Sequence, residues 1–107
     1  MLSQLSAQHL AELCEGQWYQ DKIPSARFTA AQIDSRLMES NQLFIALEGK
    51  QTDGHRFIAN LDPEQQQAAI VEKPAPQARA AQLCVASSLR ALQALSGEIA
   101  GRTTPIN

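Results

Sequence analysis

Five consecutive apolar residues, Leu43-Phe44-Ile45-Ala46-Leu47, constrain this chain more than any other stretch. Turn formers bound the run on both sides. A helix needs roughly ten or more residues, so the length predicts a buried strand. Dense polar sets flank it. Asp34, Ser35 and Arg36 come before; Lys50, Gln51, Thr52, Asp53 and His55 follow, with Gly49 and Gly54 as hinges. Polar loops held by a hydrophobic strand are common locations for binding residues. The rest of the chain reads as packing around this piece.

In chain order, Leu5, Leu10, Leu13 and Cys14, with Ala7 and Ala11, form an apolar stripe that predicts a helix near 7–15. Ser6 serves as its N-cap and Gly16 as its stop. His9 falls on the polar side and reads as solvated. A brief strand over 17–20 follows, with Trp18 covering an edge of the core, then a loop over 21–26. Modest alternation predicts a strand over 28–33 that delivers Asp34 and Ser35 at its end. Residues 37–42 form a turn in which Asn41 suits positive φ. After the central strand 43–47 and the loop 50–54, Phe57, Ile58 and Leu61 predict a short helix over 55–61, cut off by Asp62-Pro63. A polar helical turn (64–67), a strand (68–71), a surface connection (74–79) and a strand (82–86) come next. The last helix is capped by Ser87 or Ser88, carries Leu89, Leu92, Leu95 and Ile99 on its apolar face, and ends at Gly101 and Pro105.

Strands alternating with short helices give the expected fold class: α/β, one small domain over residues 1–107 with a mixed sheet flanked by short helices. At 107 residues there is room for one such core, and 44% apolar composition is enough to fill it. Aromatics are 5%, so aliphatic side chains and Ala supply most of that core. Thr104-Pro105-Ile106-Asn107 directly after a helix leads naturally into a further strand, so the chain is expected to be a fragment of something longer.

Charge narrows the function classes. Nine basic against eleven acidic residues leave a net charge of -2 with no basic block, which argues against nucleic acid or an anionic membrane as partner. A single phosphate needs no such patch, so small phosphorylated ligands stay open. Cys14 and Cys84 have no CxxC spacing and no His cluster, which argues against a metal; two buried reduced thiols are expected, with a disulfide between them as the alternative. No signal peptide is evident and no stretch approaches the roughly 18 apolar residues of a membrane span. A soluble, cytoplasmic domain is expected.

The chemical groups support binding more than catalysis. No nucleophile, base and orienter fall together, and neither His sits in a metal frame. Gly49-Lys50-Gln51-Thr52 superficially looks like a phosphate loop, but position 44 is Phe where the first glycine belongs, so a true P-loop is rejected. What remains is a loop with donors from Lys50, Gln51 and Thr52 near a strand end, suited either to phosphate, ribose or base edges or simply to solvent. Asp34 and Arg36 read in two ways, as ligand contacts or as loop-fixing groups in which Asp34 accepts from turn amides and Arg36 pairs with Asp53 or a carbonyl. Asp53-Gly54-His55 has the same ambiguity, with Asp53 as a helix cap and Gly54 easing the entry. Ser35, small and polar at a strand end, is the residue assigned to ligand.

The ordered run Asp34-Ser35-Arg36, Leu43-Phe44-Ile45-Ala46-Leu47, Gly49, Asp53-Gly54-His55 and Phe57-Ile58 resembles the N-terminal domain of the Mur ligases of peptidoglycan synthesis. The flanks agree: Gly16-Gln17-Trp18, the Ala-Ala-Ile-Val-Glu-Lys strand at 68–73, and the final helix before Pro105-Ile106. Gly-x-Trp and Ile-Asp-Ser-Arg are more like the branch adding D-alanyl-D-alanine (MurF) than the branch adding the third residue (MurE). The resemblance implies a domain that binds the UDP end of UDP-N-acetylmuramoyl-peptide. Ile33 and Ser35 would contact uridine, and Lys50, Gln51 and Thr52 uracil or diphosphate. Asp34, Arg36, Asp53, Gly54 and His55 would shape the pocket.

In such ligases ATP phosphorylates the substrate carboxylate and an amine attacks the acyl phosphate, with Mg²⁺ and a P-loop lysine stabilising the transfer. The resemblance puts that P-loop, in a following ATP-binding domain, just beyond Asn107. This segment is therefore expected to hold no cofactor and no catalytic residue, and to be inactive alone. Two departures stand out. Ser40-Asn41 occupies the place of the family's Pro-Gly, and residues 62–67 replace its Ala…Gly-Ala. A free-standing nucleotide-sugar binding module is the alternative from a different function class.

Overall fold

The computed structural model describes residues 5–47 and 54–99. Strand β1 (Leu5–Ser6) runs straight into helix α1 (Ala7–Cys14), because Ser6 stays extended and its Oγ accepts the His9 N–H at 3.1 Å. The helix ends differently from the sequence expectation. Glu15, not Gly16, takes the left-handed conformation (φ 55°), and the Gly16 N–H closes the turn onto the Ala11 carbonyl at 2.9 Å. Gly16 is required for another reason. A Cβ there would meet the Cys84 carbonyl oxygen at 2.7 Å and Val85 Cγ1 at 2.8 Å, so only a bare backbone can pass this close to the neighbouring strand.

Strand β2 (Gln17–Trp18) is shorter than expected, since a 3-10 turn takes over at Tyr19–Asp21. Trp18 does cover a core edge: it is buried, and its indole N–H donates to the Ala7 carbonyl at 2.9 Å. The single strand expected over 28–33 is two. Strand β3 (Arg27–Phe28) pairs antiparallel with β1, while β4 (Ala30–Gln32) joins the main sheet, so Ile33 lies just past the strand end. Asn41 adopts φ 62° before β5 (Gln42–Ile45), the turn that the Ser40-Asn41 departure demanded. The helix expected over 55–61 is a 3-10 segment, Gly54–Asn60, and a second 3-10 turn, Pro63–Gln65, is capped by Asp62. Strand β6 (Ala68–Val71) matches its expected bounds, β7 spans Ala81–Cys84, and α2 spans Ser88–Ile99. Gly101 and Pro105 lie outside the described residues.

Five strands form a mixed sheet in the order β2-β7-β6-β5-β4, with β4 to β7 parallel and β2 antiparallel to β7. Parallel strands covered on both faces read as unbroken apolar runs, and 43–46 and 68–71 are buried at every position. Pleating splits them. Leu43, Ile45, Ala68, Ile70 and Leu83 pack with Leu10, Leu92 and Leu95 of the two helices, whereas Phe44, Ala46, Ala69 and Val71 pack with Ile58 and Leu61. Each buried Leu of this kind contributes about 1.5–3 kcal/mol relative to exposure. Leu89 does not share that face: it is 56% exposed, and Ala91 is buried in its stead. Ser87 is the cap, its Oγ accepting the Arg90 N–H at 3.2 Å.

Candidate functional site

Four parallel strands release their chains at one edge of the sheet. In open α/β sheets, ligands gather at that carboxyl edge, where loops from neighbouring strands face each other. The register pairs Gln32 with Phe44 and Ile45 with Ile70. Segments 33–36 and 46–47 therefore leave adjacent strands side by side, and Glu72 and Val85 to Ser87 follow β6 and β7 at the same edge.

Ile33 is 43% exposed, an apolar side chain held open at the strand end. Ser35 is half-buried and opens a 3-10 turn, Ser35–Leu37. Asp34 caps that turn. Its Oδ1 accepts the Arg36 backbone N–H and Nε, both at 3.0 Å, and its Oδ2 accepts Arg36 Nη2 at 2.7 Å. Of the two expected readings, the loop-fixing one matches these bonds. Among the described residues Arg36 pairs with Asp34, two residues away; the expected partner Asp53 lies outside the described residues. The Arg36 hydrogen bonds hold the Asp34 carboxyl well below the usual carboxylate range, at about 2, and Asp34 in turn raises the Arg36 guanidinium. Both groups remain charged at neutral pH, which fixes the shape of the turn beside Ser35.

Lys50, Gln51, Thr52 and Asp53 lie outside the described residues. Gly54 and His55 are the first two residues of the 3-10 segment after them.

One contributor to this edge was not singled out in the sequence. The Glu72 carboxylate accepts the Ser88 N–H at 2.8 Å and so caps α2 from the end of β6. The signal was available: an acidic residue directly after a buried strand, at the edge where a helix begins. With a carboxylate already seated there, the α2 N-terminus is a poor place for a phosphate.

The thiols of Cys14 and Cys84 are free and half-buried. Burial pushes Cys14 up to about 11 and raises Cys84 as well, so both stay protonated and unreactive at neutral pH. Among the described residues no group of three His, Cys, Asp or Glu gathers to hold a metal, and no helix is long and apolar enough to cross a membrane.

Comparison with known proteins gives concordant results. The family described as "Mur ligase family, catalytic domain" matches residues 27–101. The UDP-N-acetylmuramoylalanyl-D-glutamyl-2,6-diaminopimelate–D-alanyl-D-alanyl ligase of Acinetobacter baumannii superimposes with a TM-score of 0.78 at 36% identity, over 91% of this chain and 22% of that one. A crystal structure of MurF from the same organism gives 0.76 at 36% identity, over 91% and 21%. The UDP-N-acetylmuramoyl-L-alanyl-D-glutamate–2,6-diaminopimelate ligase of Bacteroides thetaiotaomicron is 60% identical over 30 residues, 28% of this chain and 6% of that protein. The chain thus spans about a fifth of the solved structures it matches.

Proposed function

This chain belongs to the Mur ligase family, and on that premise we propose that it anchors the uridine end of UDP-N-acetylmuramoyl-peptide for a cytoplasmic, ATP-dependent ligase that adds D-alanyl-D-alanine in peptidoglycan synthesis. The observation that carries the reading is the parallel pairing of β4 with β5, which sends Ile33 to Arg36 and the segment after Ala46 out of the sheet side by side. In this reading Ile33 covers a face of the base and Ser35 hydrogen-bonds the uridine. Lys50, Gln51 and Thr52 meet uracil or diphosphate, and the Asp34–Arg36 pair holds the first segment in shape. Asp53, Gly54 and His55 shape the second. Binding energy gathered at the nucleotide end, remote from the reacting carboxyl, fixes the position of the peptide end.

The residues of this chain do not fit ATP or Mg²⁺. No Gly-x-x-x-x-Gly-Lys-[Ser/Thr] loop occurs in the sequence, Phe44 standing where its first glycine would be, and the described residues gather no carboxylate cluster. No phosphoryl-transfer step is therefore assigned to them, although the matched family is described as a catalytic domain. The proposed ligase activity depends on residues of an ATP-binding domain outside this chain, and the 107 residues alone are inactive.

The match to the diaminopimelate ligase favours a second reading, a MurE-type domain for the third residue. Coverage of 91% at 36% identity outweighs 28% at 60%. Supplying the full-length ligase with either diaminopimelate or D-alanyl-D-alanine and the matching nucleotide peptide separates the two. For the anchoring role itself, calorimetry with UDP is the test. Ser35→Ala is expected to weaken binding about three- to tenfold and to leave the melting temperature unchanged. Unchanged affinity with a large fall in melting temperature contradicts it.

A further inference from the structure

At the opposite, amino-terminal edge of the sheet, a hollow of about 270 Å³ is lined by Tyr19, Lys22, Ile23, Pro24, Pro63 and Arg79, among others. A second hollow of about 250 Å³ adjoins it, sharing Pro24, Pro63 and Ala81. Neither includes Ile33, Asp34, Ser35 or Arg36. The chain reaches this geometry through two successive left-handed residues, Gln20 and Asp21, which turn it so that Tyr19 and Lys22 to Pro24 line one space. Such conformations are costly for side-chain-bearing residues.

Three features of the lining define an occupant. Two cations, Lys22 and Arg79, line the same hollow, and among the described residues neither has an ion-pair partner. Asp21 lines a different hollow, with Gln17, Trp18 and Cys84, and Glu64 lines neither of the two adjoining ones. The same lining carries prolines, the Tyr19 ring and Ile23, which is 62% exposed, beside the polar Gln20 and Gln82. The size falls just under the roughly 300–1,000 Å³ of drug-sized ligand sites, which fits a small molecule rather than a folded partner.

We propose that this hollow, formed by Tyr19, Lys22 to Pro24, Pro63 and Arg79, binds a small organic anion, its phosphate or carboxylate held by Lys22 and Arg79 and its apolar body against Tyr19, Ile23 and the prolines. The guanidinium accepts such an anion in a fixed fork and the ammonium adds a second charge. The proposal stands apart from the nucleotide reading, since it uses the other edge of the sheet and other residues.

The test is an amide NMR titration of the whole 107-residue chain with phenyl phosphate, benzoate and neutral benzyl alcohol. Shifts in the amides of 19–23 and 78–82 with one or both anions are expected, and which anion binds decides between phosphate and carboxylate. Lys22→Gln and Arg79→Gln should each weaken binding about tenfold. Binding by the native chain should also weaken as salt rises. No shift at these amides with either anion, or equal binding of benzyl alcohol, overturns the proposal. So does binding indifferent to salt.

Discussion

Asp34 and Arg36 sit two residues apart on an exposed turn and form an ion pair at 2.7 Å. A folded carboxyl at about 2, against an ordinary 3.8, has a definite sign of effect. Whatever stability it contributes is complete above its unfolded value and is lost as pH falls from about 4 to 2, with no change across the neutral range. A carboxyl-detected pH titration is expected to place the Asp34 midpoint near 2; a midpoint near 4 contradicts the bidentate bond. Gly16 and Glu15 give a second contrast. Gly16→Ala drives a methyl into the Cys84 carbonyl, which belongs to a sheet strand and cannot shift freely, so denaturant unfolding should show a loss of about 1–3 kcal/mol. Glu15→Gly relieves a left-handed residue at about 1–2 kcal/mol while adding about 0.5–1 kcal/mol of chain entropy, so stability should hold or rise slightly. The sequence made Gly16 legible as a stop but not as a close approach, because contact with β7 is a long-range fact that no local pattern carries.

The same division runs through the elements. Long apolar signals were readable: α1 and β6 lie where the sequence puts them, since stripe and run length depend on neighbours in the chain. The stretch 28–33 was not, because Thr29 interrupts it and its two halves pair with different partners, one with β1 and one with β5. Leu89 misled for a related reason: periodicity defines a stripe, and which flank of that stripe meets the sheet is decided by where Ser87 starts the helix. Loops offered still less. Residues 74–79 read only as a surface connection, yet they are clipped to β7 by the buried Gln82, whose Nε2 donates to the Ala75 carbonyl at 2.8 Å and whose Oε1 accepts the Ala75 N–H at 2.7 Å. Gln82→Leu removes both partners from a half-buried backbone. A cost of about 1–3 kcal/mol in thermal or denaturant unfolding is expected; a neutral result means the clip is incidental to stability.

For the molecule as a whole, the sheet separates two kinds of surface. At the carboxyl edge lie segments whose residue types and order were legible in advance, because Ile33, Asp34, Ser35 and Arg36 are contiguous in sequence. Their neighbourhood with the segment after β5 follows from a single pairing that alternation alone did not specify. Glu72 belongs to that edge through its bond to Ser88, a contact spanning sixteen residues and invisible to motif reading. The amino-terminal edge was silent in sequence, since Lys22 and Arg79 are far apart in the chain and line one hollow only in the folded chain. The proposed function puts the nucleotide end at the carboxyl edge of this sheet. Titrating UDP into isotope-labelled chain and mapping the perturbed amides tests this most directly. The account predicts shifts concentrated at 33–36 and 46–53; shifts confined to 19–23 and 78–82, or to the α1–α2 face, contradict it.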